Sequence, residues 1–311
     1  MRAFYSDHFV LPLPAGHRFP MAKYRALRDQ VAAELQRVQL TEAEAINDGE
    51  LALAHDPDYI ERVLKGRLTA AEQRAIGFPW SAQMVERSRR SAGATVAACR
   101  AALAEGVAVN LAGGTHHAFR GRGAGYCVFN DAALAARLMQ AEALRAQGRR
   151  LAVAIVDLDV HQGDGTASIL ADDPSVFTLS LHGEKNYPFR KAASDLDVPL
   201  PDGTRDAEYL AALDGALAAL TERFTPGLLI YLAGADAHEG DRLGKLRLTT
   251  EGMRARDQRV FDLAERLALP IAVAMAGGYG HDLATTVAVH LNTVRQAFDR
   301  WQRRSNQVRA A

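Results

Sequence analysis

Asp157, Asp159, His161 and Asp164 lie close together at the end of the apolar run Leu151–Val156, in the stretch LAVAIVDLDVHQGDGT. Carboxylate oxygens and imidazole nitrogens are the donors of a divalent-metal site and the usual carriers of protons in hydrolysis. Asp159 and His161 are spaced i, i+2 and share one face if extended geometry continues past Val160. A carboxylate and a neutral imidazole suit zinc, and an open catalytic site needs one more protein ligand plus water. Asp236, in LAGAD, is the natural third donor: it also follows an apolar run, and Gly234 lets two backbones come close. Asp157 points to the opposite face, which suits it to orient a neighbouring group or to hold a different cation.

His116 and His117 are adjacent in the glycine-rich stretch AGGTHHAF. With Asp157 and Asp164 as carboxylate partners, two His–Asp pairs can be built. One imidazole could then take a proton from an activated water and deliver it to a leaving amine. Tyr279 stands in AGGYG, where glycines allow a tight loop and a phenol can donate to a developing oxyanion. A lone D-x-H is commonly a capping loop, and a lone His or Tyr commonly packs. Their coincidence at the ends of successive apolar runs argues for a hydrolytic site.

Five such runs end in polar clusters: Val107–Leu111, Leu151–Val156, Val176–Leu179, Leu228–Leu232 and Ile271–Met275. Alanine-rich helical segments separate them, among them Ala132–Gln147, Ala207–Phe224 and Thr250–Leu267. Strands alternating with helices predict parallel βαβ units and a single three-layer α/β/α domain over 1–311, with a mostly parallel central sheet. The clusters then fall at the carboxyl ends of the strands, where ligands bind in such sheets. The N-terminal part predicts an edge strand at Phe4–Leu11. Leu27, Val31, Leu35 and Val38 follow at helical spacing. Further helices are predicted over Pro57–Lys65, capped by Asp56, and Gln83–Ala104. The polar tail 303–311 is expected to fray.

The 311 residues carry 37 basic and 37 acidic side chains, so the formal net charge is zero and the basic footprint of a nucleic-acid binder is missing. Any charged partner must be met by a local patch. Two cysteines, Cys99 and Cys127, are too few for a disulfide framework and are not spaced as a thiolate metal site. No segment offers the run of about 18 apolar residues that a membrane span needs, so a cytoplasmic protein is expected.

In their order and spacing, GGTHHA, GYCVFND, VDLDVHQGDGT, TLSLH, AGADAHEGDRLG and AGGYG resemble the zinc-dependent histone deacetylase family, over His8 to about Leu291. HRFPMAKY and EGDRLGKLRLTTEGMRARDQRVF look most like class IV deacetylases and their bacterial relatives. The resemblance implies about eight strands in the central sheet and one Zn2+ held by Asp159, His161 and Asp236, with Fe2+ or Co2+ as possible occupants of the same donors. It implies His117 as the proton-transfer imidazole backed by Asp164, His116 as its electrostatic neighbour backed by Asp157, and Tyr279 as the carbonyl-polarising phenol. It also implies a structural K+ held by Asp157, Asp159, the His161 carbonyl, Ser180 and the Leu181 backbone, and a peripheral cation near Leu170, Asp173 and Val176. An acyl-lysine tube would be walled by Gly125, Tyr126 and Tyr187, with Leu243 at its mouth or floor.

The implied activity is removal of acetyl or longer fatty-acyl groups from lysine side chains of a protein or peptide, the class IV likeness favouring longer chains. Tyr126 stands where many members have phenylalanine, and AGGYG has one glycine fewer than the common pattern. Both departures bear on acyl preference and leave the metal set intact. Hydrolysis of small acylated amines such as acetylpolyamines is the alternative, and a non-catalytic acyl-lysine-binding module a more distant one. The related two-manganese amidinohydrolases need carboxylates where Gly163 and Gly234 stand here, which favours one metal.

Overall fold

In a computed structural model, the backbone is described for residues 1–310 and the side chains for residues 1–306. In chain order the elements are β1 (Arg2–Tyr5), α1 (Ala22–Glu34), β2 (Gln39–Glu42), α2 (Asp48–Leu51), α3 (Pro57–Leu64), α4 (Ala70–Ile76), α5 (Ala82–Glu105), β3 (Val107–Asn110), α6 (Asp131–Gln147), β4 (Val153–Asp157), α7 (Asp164–Leu170), β5 (Val176–Gly183), β6 (Leu196–Leu200), α8 (Asp206–Arg223), β7 (Leu228–Leu232), α9 (Thr250–Arg266), β8 (Ile271–Ala274) and α10 (Leu283–Ala310). The eight strands form one sheet in the order β2-β1-β3-β8-β7-β4-β5-β6, and every pairing between them is parallel.

Both faces of the sheet are covered. Along β4, Ala154 and Val156 enter a core with α1, α8, α9 and α10, whereas Val153 and Ile155 enter a second core with α3, α5 and α6. Every residue of β3, β4, β5, β7 and β8 is buried, so these strands read as unbroken apolar runs and not as alternating ones. This is the predicted three-layer α/β/α architecture. Helix starts are set locally: the side chains of Ser81, Asn130 and Thr249 accept from Met84, Ala133 and Gly252 backbone N–H groups.

The expectations fail at the margins. Phe4–Leu11 is not an edge strand: β1 ends at Tyr5 and lies inside the sheet, between β2 and β3. The true edges, β2 (QLTE) and β6 (LDVPL), are short and partly exposed and carry little apolar signal. The first long helix stops at Glu34, before Val38. Asp56 precedes α3 without capping it through its side chain, which faces Arg120 at 3.3 Å. The segment expected to fray from Arg303 continues α10 as far as Ala310; Trp301 stacks on Phe298 with ring centroids 5.8 Å apart, and Arg303 meets Glu265 at 2.9 Å. Ala311 lies outside the described residues. Among the described residues no helix is long and apolar enough to cross a membrane.

Candidate active site

The polar clusters meet where expected, beyond the carboxyl ends of β3, β4, β7 and β8. Donor atoms of Asp159, His161 and Asp236 lie within 4.8 Å of one another, and all three residues are buried. Asp159 Oδ1 accepts from the His161 backbone N–H and lies 2.9 Å from His161 Nδ1, while its Oδ2 accepts from Gly277 N–H at 2.7 Å. Asp236 Oδ1 accepts from Val160 N–H at 2.9 Å. Asp236 Oδ2 is buried without a hydrogen-bond donor and lies 3.2 Å from His161 Nδ1.

That arrangement calls for a cation. Burial, reinforced by the charge of Asp159, pushes the Asp236 carboxyl up to about 7. Asp159 is held well below the ordinary carboxylate range: burial pushes it up, but the charge of His116 and the bond from His161 outweigh it. Burial opposes a charge on His161, yet the adjacent Asp159 and Asp236 carboxylates raise it to about 10. Two buried carboxylates and an imidazole, with one oxygen left without a donor, fit a divalent ion.

The two His–Asp pairs also form. Nδ1 of His116 is 2.6 Å from Asp157 Oδ2, and Nδ1 of His117 is 2.6 Å from Asp164 Oδ1. Burial pulls His116 down, but Asp157 and Asp159 outweigh it and carry it up to about 9; burial and the His116 charge push His117 down to about 4. The neighbours are thus shifted in opposite directions, His116 toward the cation and His117 toward the neutral imidazole. Burial, with the charges of Asp159 and Asp236, holds the Tyr279 phenol well above its ordinary range, so it stays a donor.

Asp157 and Ser180 are cross-strand partners in the β4–β5 ladder, with Leu181 next along β5, so these members of the expected potassium set meet at one strand end. Ser180 Oγ lies 3.0 Å from His182 Nδ1. At the peripheral position, Asp173 is paired with Arg137 at 3.0 Å and Arg150 at 3.4 Å; the Leu170 and Asp173 carbonyls accept from Asp173 and Val176 N–H groups.

Gly125, Tyr126, Tyr187 and Leu243 line one cavity of about 490 Å³ that reaches His117, His161 and Tyr279. His117 and Tyr187 rings stand edge to face at 4.8 Å, and Tyr126 and Tyr279 are 5.8 Å apart across the passage. Gly125 adopts φ +50°, and a Cβ there would sit 2.6 Å from His117 Cδ2. The Tyr126 wall is pinned by its N–H to Ile76 O and by Gly125 N–H to Ala75 O, both at the end of α4. Behind the donor cluster a smaller cavity of about 50 Å³ is bounded by Phe19, Phe78, Arg87 and Tyr126.

Glycines also decide what cannot be there. A Cβ on Gly163 would lie 2.4 Å from Asp157 Oδ2, and one on Gly234 would lie 2.7 Å from both Asp159 Oδ2 and Asp236 Oδ1. Neither position has room for a second-metal carboxylate.

Four mounting residues escaped the motif reading. Arg256, fully buried, bonds the carbonyls of Gly234 (2.5 Å) and Leu158 (3.3 Å), just ahead of Asp236 and Asp159, and pairs with buried Asp257 at 2.7 Å. Lys23 donates to the carbonyls of Ala276 (3.1 Å) and Gly278 (3.4 Å), holding the Tyr279 loop from behind. That loop needs holding, because Ala276 has φ +53°. Asp241 accepts from Tyr279 N–H at 2.6 Å, and Asp131 accepts from Gly114 (2.8 Å) and Thr115 (2.7 Å), fixing the loop that carries both histidines. Each lies inside or beside a quoted motif, but bonds to backbone leave no spacing signature.

A family model described as histone deacetylase domain matches residues 17–294. The chain belongs to the histone deacetylase family. It is 42% identical over 297 residues to an uncharacterized protein of Picosynechococcus sp., covering 95% of this chain and 97% of that one. It is 32% identical to a histone deacetylase-like amidohydrolase of Pseudomonas aeruginosa, covering 86% and 74%. The fold matches the crystal structure of an HDAC homolog from Aquifex aeolicus with a TM-score of 0.79, at 24% identity over 96% of this chain and 84% of that one. Membership supports an amide-hydrolysing enzyme, and the buried Asp–His–Asp cluster could bind a metal.

Proposed function

We propose that this protein is a zinc-dependent lysine deacylase, one catalytic unit that hydrolyses the amide of an acyl-lysine side chain. The observation that carries the reading is the joint geometry of three donors within 4.8 Å, two His–Asp pairs at 2.6 Å and Tyr279 at the inner end of an aromatic passage. Bound by Asp159, His161 and Asp236, a divalent ion supplies Lewis acidity for activating water and polarising the scissile carbonyl. His117, oriented through Nδ1 by Asp164, leaves Nε2 to accept the water proton and return it to the departing amine. Cationic His116 offsets negative charge that develops as the carbonyl is attacked, and the Tyr279 hydroxyl donates to the carbonyl oxygen. The C–N bond breaks, giving a carboxylate and a lysine amine. The aromatic walls exclude bulk water and hold the aliphatic lysine stem.

The inner cavity of about 50 Å³ has room for about two waters. That supports a short acyl group such as acetyl and weighs against the longer chains implied by the class IV likeness. Potassium bound at Asp157, Asp159, His161, Ser180 and Leu181 would brace the strand ends that carry the donors.

The test is release of acetate and formation of the free lysine side-chain amine in a neutral acetyl-lysine peptide by zinc-loaded protein, beside Tyr279→Phe and a myristoyl-lysine peptide. Turnover of acetyl-lysine that falls in Tyr279→Phe supports the reading. Undiminished activity in that variant removes Tyr279 from the mechanism, and preference for myristoyl-lysine overturns the short-acyl assignment.

A further inference from the structure

The mouth of the passage has a charge that the reaction does not require. Its lining includes Arg18, Arg74, Lys185 and Lys245 and no carboxylate, although the chain as a whole carries equal numbers of basic and acidic side chains. All four are exposed. Among the described residues Arg18, Arg74 and Lys185 have no ion-pair partner; Lys245 meets half-exposed Asp202 at 3.8 Å. Exposed Glu184 adjoins Lys185 in sequence but does not line the mouth.

These cations come from four segments, each tied to the catalytic scaffold. Arg242 holds the Arg18 segment by donating to Arg18 O at 3.3 Å while its Nε donates to Tyr279 O at 2.8 Å. Arg74 lies in the last turn of α4, whose terminal carbonyls pin the Tyr126 wall. Asn186 stitches the other two together: its side chain donates to Leu243 O at 2.8 Å and accepts from Lys245 N–H at 3.1 Å. Phe189, 87% exposed beside Tyr187, adds an apolar surface at the same rim.

Given the deacylase reading above, on which this rests, we infer that the rim selects acyl-lysines flanked by acidic residues and rejects cationic substrates, acetylpolyamines among them. A peptide running across the mouth places its flanking side chains among the four cations while the acyl-lysine enters the passage. A polyamine carries its remaining ammonium groups into the same field.

Exposed ion pairs are each worth a factor of about 1.5 to 5, so two or three together give roughly a 2- to 100-fold preference in kcat/KM for acidic over neutral flanks. The preference should collapse near 1 M salt, where the screening length is about 3 Å. The experiment compares kcat/KM of zinc-loaded full-length protein on acetyl-lysine peptides with Asp/Glu, Ala/Gly or Lys/Arg flanks and on acetylspermidine. Affinities of fluorescent versions of the three peptides are measured alongside. The expected order is acidic, neutral, basic, with acetylspermidine last, and the acidic-to-neutral ratio in Arg74→Glu/Lys185→Glu falls to one or below, whatever the absolute rates. Equal turnover of the three peptides at low salt, or faster turnover of basic peptide or acetylspermidine, overturns the inference. Equal turnover of the peptides leaves the deacylase reading standing. Acetylspermidine cleavage with no peptide cleavage overturns both. If nothing is turned over, equal affinities for the three peptides overturn the inference on their own.

Discussion

Arg256→Met removes a cation buried behind the carbonyls that precede Asp159 and Asp236. Arg256 and Asp257 are 0% and 1% exposed, and the guanidinium bonds Asp257 Oδ1 through Nε (2.9 Å) and Nη2 (2.7 Å) and two backbone carbonyls through Nη1. Methionine fills much of the vacated volume, so the dominant cost is a carboxylate left buried and unpaired, about 3–5 kcal/mol when such a pair is broken from one side. The Gly234 and Leu158 carbonyls lose their donor, which adds to that cost. The Tyr231 and Thr293 hydroxyls still donate to Asp257 at 2.5 Å and offset part of it. The net expectation is about 3–5 kcal/mol, a large share of the roughly 5–15 kcal/mol that typically separates folded from unfolded chains. In urea the midpoint should fall by about 1–2 M. Arg256→Met/Asp257→Asn should recover about 2 kcal/mol or more, because the stranded charge is the main penalty. Zinc affinity of the folded single variant should fall as well, since both carbonyls precede metal donors. A loss below about 1 kcal/mol, the size of an exposed pair, or no recovery in the double variant, would refute this account of the mount.

Tyr279→Phe should keep zinc and lose roughly 100-fold or more in kcat, the cost of an oxyanion donor. Lys23→Met should lower kcat about 10- to 100-fold by letting the Tyr279 loop shift; in the Tyr279→Phe background the same change should cost almost nothing, and additive losses would refute the link. Gly277→Ala places a Cβ 1.9 Å from Asp236 Oδ2, so titration calorimetry should find zinc binding at least about 10-fold weaker. His55 is held neutral, at about 4, chiefly by burial; Phe119 O lies 2.9 Å from Nδ1 and Asn130 N–H donates to Nε2 at 2.9 Å. Because the unfolded chain binds this proton more readily, stability from His55 is complete above about pH 6.5 and lost as pH falls toward 4, about 3 kcal/mol in all. A His55→Gln variant with the wild-type stability slope over that window would refute it. Metal analysis should find one divalent ion per chain, and a requirement for two manganese ions would overturn the one-metal reading.

The buried strands were legible because a doubly covered parallel sheet writes itself as unbroken apolar runs, and the donors because they stand directly after those runs. Asp159 and His161 could be paired from spacing alone, and Asp236 joined them through the strand-end rule. The edges β2 and β6 were illegible because they are short and partly exposed: QLTE offers a single apolar residue, and Pro199 interrupts the alternation of Leu196, Val198 and Leu200 in LDVPL. The N-terminal run misled because its apolar residues continue past Tyr5 into a loop, while the sheet takes up only Arg2–Tyr5.

The mounting residues show a deeper limit. Arg256, Lys23, Asp241 and Asp131 hold the site through backbone carbonyls and N–H groups, which every sequence has, so their mounting role leaves no spacing to read. Glycine is the exception, because its effect is steric and local. Gly163 was read as a missing carboxylate, and the geometry turns that absence into a requirement: the 2.4 Å from its would-be Cβ to Asp157 Oδ2 leaves no space for any side chain while Asp157 holds His116. A second metal at that position would therefore cost the His116–Asp157 pair.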